Sequence, residues 1–202
     1  MTLDEFILRR VCVSATAVIY WGGVAMHARR IRKRIGKSAN LKPRTPKEKL
    51  LWVGWTFMIL GWLLQPFFLF DAKDLSSACL TPATLAGGLT LIVLGYAATL
   101  WCYASMGNMW RIGVNHEEKT SLVTRGPYRV IRHPIYGFQI VMLVGSALLL
   151  PTIFSLILLA VHFVCVQAKA ADEESYLLGV HGETYRAYLA RTGRLFPKIF
   201  RA

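Results

Sequence analysis

Residues 135–166, IYGFQIVMLVGSALLLPTIFSLILLAVHFVCV, form an almost unbroken apolar run with Pro151-Thr152 at its middle. Proline ends a helix because it lacks an amide donor and crowds the preceding turn. About 16 residues remain on each side, or roughly 24 Å of helix per limb at ~1.5 Å per residue. The run therefore predicts a tight helical hairpin, residues 135–150 and 152–168, turning at Leu150–Thr152. Neither limb has length to spare against a hydrocarbon core about 30 Å thick.

Three more apolar segments precede it, at about 7–28, 50–70 and 82–104. The chain has 202 residues, 54% of them hydrophobic, and a mean hydropathy of +0.42, which excludes an ordinary soluble domain. These features predict an all-α polytopic membrane protein: five transmembrane helices, the last two a tight hairpin, and a cytoplasmic C-terminal helical segment. No internal repeat or composition break divides residues 1–202, so they read as a single membrane domain.

The charges orient it. All of the 24 Lys and Arg except Arg9, Arg10 and Lys73 fall in residues 29–49, 111–132 and 169–201, on one side of the predicted spans. The positive-inside rule then places the N-terminus outside and the C-terminus in the cytoplasm. Asp4 and Glu5 stand where a basic leader is expected, so no cleavable signal is read. The net charge of +13 does not imply nucleic-acid binding, because the basic residues flank membrane spans without interleaved aromatics. The 29–49 run instead suits anionic lipid headgroups. Cys12, Cys102 and Cys165 lie within apolar spans and Cys79 stands alone in an outer loop, a pattern of neither a metal pair nor a disulfide framework. Oligomeric state is not set by these features.

Packing expectations follow. Gly87, Gly88 and Gly95, with Ala86, Ala97 and Ala98, offer a small-residue face on the third span. Trp52, Trp55, Trp62, Phe67, Phe68 and Phe70 on the second read as interfacial anchors and lipid contacts. Folding the hairpin about its turn sets Gln139 at the depth of His162, predicting a hydrogen bond between them. It also sets Arg132 beside Lys169 and Tyr128 beside Glu173.

Immediately before the hairpin lies Arg125-Gly126-Pro127-Tyr128-Arg129-Val130-Ile131-Arg132-His133-Pro134-Ile135-Tyr136. Cations and ring donors at a lipid boundary need partners. Pro134 suits the first turn of helix four, where no amide donor is required, and the helix's free amides add to Arg129, Arg132 and His133 to make an anion site. Opposite, helix five is expected to continue past the boundary through Lys169, Asp172, Glu173 and Glu174 to Leu177. Both polarities at one mouth suit a zwitterionic ligand such as an amino acid moiety. The spacing alone favours these charges pairing with one another across the hairpin mouth.

The motifs Gly126-Pro127-Tyr128-Arg129, Arg132-His133-Pro134-x-Tyr136, Glu173-Glu174-x-x-Leu177, Gly182-x-x-Tyr185-x-x-Tyr188 and Arg194-x-x-Pro197 resemble those of the isoprenylcysteine carboxyl methyltransferase family. These are integral-membrane enzymes related more distantly to phospholipid N-methyltransferases. The resemblance covers about residues 84–198; many relatives have Val-Pro-Arg where this chain has Thr192-Gly193-Arg194. It implies S-adenosylmethionine as methyl donor, in a cytoplasmic pocket built from about residues 105–136 and 169–198. Carried over, His133 and Tyr136 would help bind the donor's amino acid moiety, Tyr128 and Pro134 would belong to the same cofactor site, Glu173 and Glu174 would fix the donor's amine or ribose, and Tyr185, Tyr188, Arg194 and Pro197 would belong to a closing tail. The implied substrate is lipid-linked or prenylated and enters from the bilayer.

A carboxylate acceptor, with an α-carboxyl reference pKa of about 3.3–3.7, is already ionised and needs no general base. That agrees with the lack of a Ser-His-Asp or Cys-His arrangement. Arg111, Arg132 or Lys169 is the expected orienter of such an acceptor. A phospholipid amine or small thiol is the alternative acceptor. A non-catalytic protein binding anionic lipid is the alternative outside enzymes, and sterol reduction the more distant one within related membrane folds.

Overall fold

The computed structural model describes residues 2–36, 45–68, 80–110 and 121–198. Five helices carry the fold: α1 (Leu3–Ile35), α2 (Pro46–Phe68), α3 (Pro82–Met106), α4 (Pro134–Leu149) and α5 (Ile153–Arg191). All but α4 are long and apolar enough to cross a membrane, and α4 is a shorter apolar helix of 16 residues. Arg111, Lys119, Lys37, Lys42, Arg44, Lys73, Cys79, Arg201 and residues 69–70 of the second expected span lie outside the described residues.

Two helices outrun their expected spans. α1 has 33 residues, and its basic last turn complements the carbonyl end of the helix before Gly36 closes it at φ 70°. α5 has 39 residues and carries the expected 169–177 segment onward to Arg191. Gly182 breaks it at φ 51°, ψ −125°, backbone that a side chain strains.

The hairpin turns where Pro151 placed it. Thr152 caps α5 by accepting from the Ser155 amide at 3.0 Å, and Gln65 of α2 donates to Thr152 Oγ1 at 3.1 Å and to the Ser155 hydroxyl.

Helix contacts rest on glycine pairs seven residues apart, which return to one face after two turns. A Cβ at Gly88 would stand 2.8 Å from Gly145 O, and one at Gly95 would stand 3.0 Å from Phe138 O, so α3 and α4 meet backbone to backbone. Gly87 faces open space and Ala86 and Ala97 are exposed, so the small-residue face is narrower than expected. Gly54 and Gly61 of α2 likewise receive Cys165 and Leu158 of α5.

Two expectations about polar and aromatic groups fail. Trp52, Phe67 and Phe68 are exposed, but Trp62 is 1% exposed and donates to Ser146 Oγ at 3.1 Å. Trp55 packs inward against Trp21, Tyr136 and His162. The Gln139–His162 hydrogen bond does not form: both ring nitrogens of His162 are buried without a partner among the described residues, as is Gln139 Oε1. Counting residues about a turn fixes depth; it does not fix rotation about each helix axis.

At the Pro151 end, Arg9 is fully buried. It donates to Glu5 at 2.9 Å, to Thr81 O at 2.9 Å and to Leu148 O and Leu149 O, the open carbonyls ending α4. At the opposite end, Lys47 Nζ lies 2.5 Å from Asp172, and Ile135 packs on Ala28, Ile31, Tyr103 and Trp110. The basic end of α1, the start of α2, the end of α3, the start of α4 and the acidic stretch of α5 therefore converge.

Candidate functional site

Pro134 opens α4, with His133 at the cap. The backbone ahead of it is held by the chain's C-terminal turn: Arg132 N donates to Gly193 O at 2.8 Å, His133 N to Arg194 O at 2.9 Å, and Gly193 N to Val130 O at 3.0 Å. A proline at position 193 would supply no such amide. The turn approaches so closely that a Cβ at Gly137 would stand 2.2 Å from Leu195 O. Gly137→Ala is expected to lift this turn from α4 and lower stability by about 1–3 kcal/mol; trypsin cleavage after Arg194 should then speed up.

On this platform the predicted residues meet. Glu174 accepts from Arg132 Nε at 2.9 Å and from Arg194 Nη2 at 2.6 Å. Glu173 accepts from the Tyr136 hydroxyl at 2.9 Å and lies 3.3 Å from His133 Nδ1. His133 Nε2 stands 3.4 Å from Glu174 Oε1, and the imidazole stacks on Tyr136 with centroids 5.8 Å apart. Arg132 also donates to Leu189 O at 3.3 Å and to Thr192 O, which commits its guanidinium to the closing turn.

Other expected members are placed around this core. Tyr128 is buried and its carbonyl accepts from the Tyr188 hydroxyl at 2.6 Å. Tyr185 is fully buried, and its hydroxyl has no partner among the described residues. Lys169, one turn before Glu173, adds positive potential at that carboxylate. Arg129, at the end of the 3₁₀ turn Gly126–Arg129, is exposed and makes none of these cluster contacts. Sequence reasoning missed the clamp made by Thr192, Gly193 and Leu195; the paired glycines 137 and 193 were its only local trace.

Burial opposes charge on His133, but Glu173 and Glu174 at its two nitrogens outweigh burial and raise its pKa above the ordinary histidine value. Burial likewise pushes both carboxylates up, yet His133, with Arg194 and Arg132 acting on Glu174, brings both below the usual range. The glutamates thus stabilise the fold above about pH 4.5, a contribution lost as acid titrates them through their lowered pKa values. His133 holds its proton more tightly folded than unfolded. Its contribution is complete below about pH 6.5 and disappears as pH rises through its folded value. The thermal midpoint in detergent should fall as pH rises from about 6.5 through His133's raised folded value. His133→Asn should flatten that decline, and a variant profile identical to wild type would contradict the assignment.

The sequence profile of the phospholipid methyltransferase family matches residues 83–184, which span α3, α4 and most of α5. The chain belongs to this family. Among curated relatives, a nickel-cobalt-cadmium resistance protein of Alcaligenes xylosoxydans xylosoxydans is 30% identical over 129 residues, 64% of this chain and 54% of that protein. A cobalt-zinc-cadmium resistance protein of Cupriavidus metallidurans is 23% identical over 131 residues, 65% of this chain and 57% of that protein. Protein-S-isoprenylcysteine O-methyltransferase B of Arabidopsis thaliana is 33% identical over 115 residues, 55% of this chain and 58% of that protein. The matched stretch spans a little over half the length of each relative. The motif resemblance to isoprenylcysteine carboxyl methyltransferases is thus matched by a curated relative, and Glu173, Glu174, His133 and Tyr136 all lie inside the family's matched region.

Proposed function

We propose that this protein is a multi-pass membrane methyltransferase using S-adenosylmethionine on a lipid-linked acceptor, with carboxyl O-methylation of a prenylcysteine-like substrate as its reaction. The observation that carries this reading is the meeting of His133, Tyr136, Arg132 and Arg194 with Glu173 and Glu174 at the mouth of the α4–α5 hairpin. The positive-inside rule assigns this mouth and the C-terminus to the cytoplasm, and the N-terminus to the outside.

The residues fit the donor. The Tyr185 hydroxyl is a buried polar atom without a hydrogen-bond partner among the described residues. The glutamates accept from an amine or from ribose hydroxyls, and His133 and the arginines offer donors to a carboxylate. When bound, the donor supplies an electrophilic methyl on a sulfonium, whose transfer to an anion removes charge and is favoured in a water-poor site. Lys169, half-buried beside Glu173, is the described cation left to orient the acceptor's carboxylate. Arg111, outside the described residues, keeps that proposed role.

Purified protein incubated with methyl-labelled donor and a membrane lipid extract should pass label to a base-labile lipid ester. A base-stable label on an amine, with a rate climbing steeply with pH as the amine loses its proton, would reassign the acceptor to a phospholipid. A label on a small thiol would reassign it to sulfur. No transfer together with no affinity for S-adenosylhomocysteine would overturn the reading.

A further inference from the structure

α1 and α3 part to leave a groove of about 130 Å³. Tyr20, Gly23, His27 and Arg30 line it from α1, and Tyr96 and Tyr103 from α3. Its rim carries Met26 and Leu100, which are 56% and 49% exposed on the apolar outer surface. Such a volume lies below the ~300 Å³ where drug-sized pockets begin, so it admits a headgroup and leaves any hydrocarbon tail outside.

Two of its buried polar atoms lack partners among the described residues. Tyr20 is 1% exposed; its hydroxyl lies near Tyr103 and Gln139 yet in hydrogen-bond geometry with neither. His27 Nε2 is also buried without a partner among the described residues, while its ring stacks on Tyr103 at 4.6 Å and meets Trp110 edge-on at 4.8 Å. Unsatisfied buried donors cost stability unless something receives them. Charge says what does. No acidic residue lines the groove, Arg30 stands at its basic end, and Arg29, Lys33 and Arg34 continue the positive field. The groove runs seven residues from Tyr20 to His27, or ~10 Å along the helix axis, so cations stand at the membrane boundary and tyrosine hydroxyls stand deeper. A glycerophospholipid has that order: an anionic phosphate outermost, ester carbonyls inward, tails in the bilayer.

We propose that the α1–α3 groove is a specific site for one anionic glycerophospholipid of the surrounding bilayer, its phosphate held by Arg30 and His27 and its ester carbonyls by Tyr20 and Tyr96. The bound lipid joins α1 to α3 and braces the His27–Tyr103–Trp110 stack. That stack packs on Ile135 in the first turn of α4, next to the donor cluster. The site does not depend on the proposed methyl transfer.

The test is native mass spectrometry of the full chain released from phosphatidylcholine nanodiscs containing phosphatidylglycerol. Wild type should keep one phosphatidylglycerol in preference to phosphatidylcholine. Two matched pairs separate a built site from general attraction to a negative surface. Arg30→Glu should cut retention by about tenfold, whereas Arg29→Glu, an equal charge change on a neighbour outside the groove, should leave it within about twofold. Gly23→Leu fills the groove, while Gly22→Leu places the same side chain where a Cβ meets nothing within 4 Å; only the first should lose the lipid. Equal retention of both lipids by wild type, equal loss in both arginine variants, or full retention in a folded Gly23→Leu protein would each overturn the proposal.

Discussion

Glu174→Ala is expected to abolish measurable binding of S-adenosylhomocysteine while the five helices remain inserted. Glu174 is 11% exposed at its side chain and neutralises two arginines, Arg132 at 2.9 Å and Arg194 at 2.6 Å. Removing one partner of a buried ion pair typically costs about 3–5 kcal/mol, mostly because the remaining charge stays buried. Here the cost falls unevenly. Arg194 is 40% exposed and can turn to water, whereas Arg132 is 10% exposed and fixed by Leu189 O and Thr192 O. The strain should therefore open the 192–197 turn, and with it the platform under His133. Glu174→Gln separates charge from shape: it keeps an acceptor and should preserve the turn against trypsin, yet lose affinity by more than about tenfold. Calorimetric affinity equal to wild type in both variants would remove Glu174 from the donor site.

Arg9→Met should produce the complementary result, a large loss of stability with the donor affinity of the folded protein unchanged. Arg9 closes the ends of two helices and the approach to a third, through Glu5, Thr81 O, Leu148 O and Leu149 O. Methionine fills a similar volume but leaves Glu5 uncompensated and the last carbonyls of α4 without a donor. A loss of about 3–5 kcal/mol is expected. The neighbouring Arg10, which reaches Pro66 O at 2.6 Å, is only partly buried, so Arg10→Met should cost less. Chemical denaturation in detergent gives the stability, and calorimetry with S-adenosylhomocysteine gives the affinity. Because α4 separates Arg9 from His133 by 16 residues, or ~24 Å, reduced affinity in folded Arg9→Met protein would mean that the two ends are coupled.

Both residues show what local sequence conveys. Glu174 stood out because two adjacent carboxylates just beyond an apolar span need cationic partners, and the cations of the Arg125–Tyr136 segment were near at hand. Arg9 did not stand out, since an arginine close to the start of a span reads as a boundary residue. Its burial depends on the ends of α4 and α3, 139 and 72 residues away in sequence. Trp62 and Trp55 were misread for the same reason. An aromatic on an apolar helix faces lipid or core according to where its neighbours stand, and hydropathy carries no information about that choice in a bilayer.

The apolar lengths and Pro151 determined by themselves that the chain folds as long apolar helices with a tight turn before the last of them, because span length and helix termination depend on adjacent residues alone. The motifs also named most of the groups that meet at the hairpin mouth. Only the tertiary structure decided how they pair: Glu174 takes both Arg132 and Arg194, Glu173 takes Tyr136 and His133, and the tail locks onto residues 130–133 through Gly193. Those choices follow from the rotation of each helix about its axis and from close approaches at Gly88, Gly95, Gly137 and Gly145, and packing sets both only after the whole chain has come together.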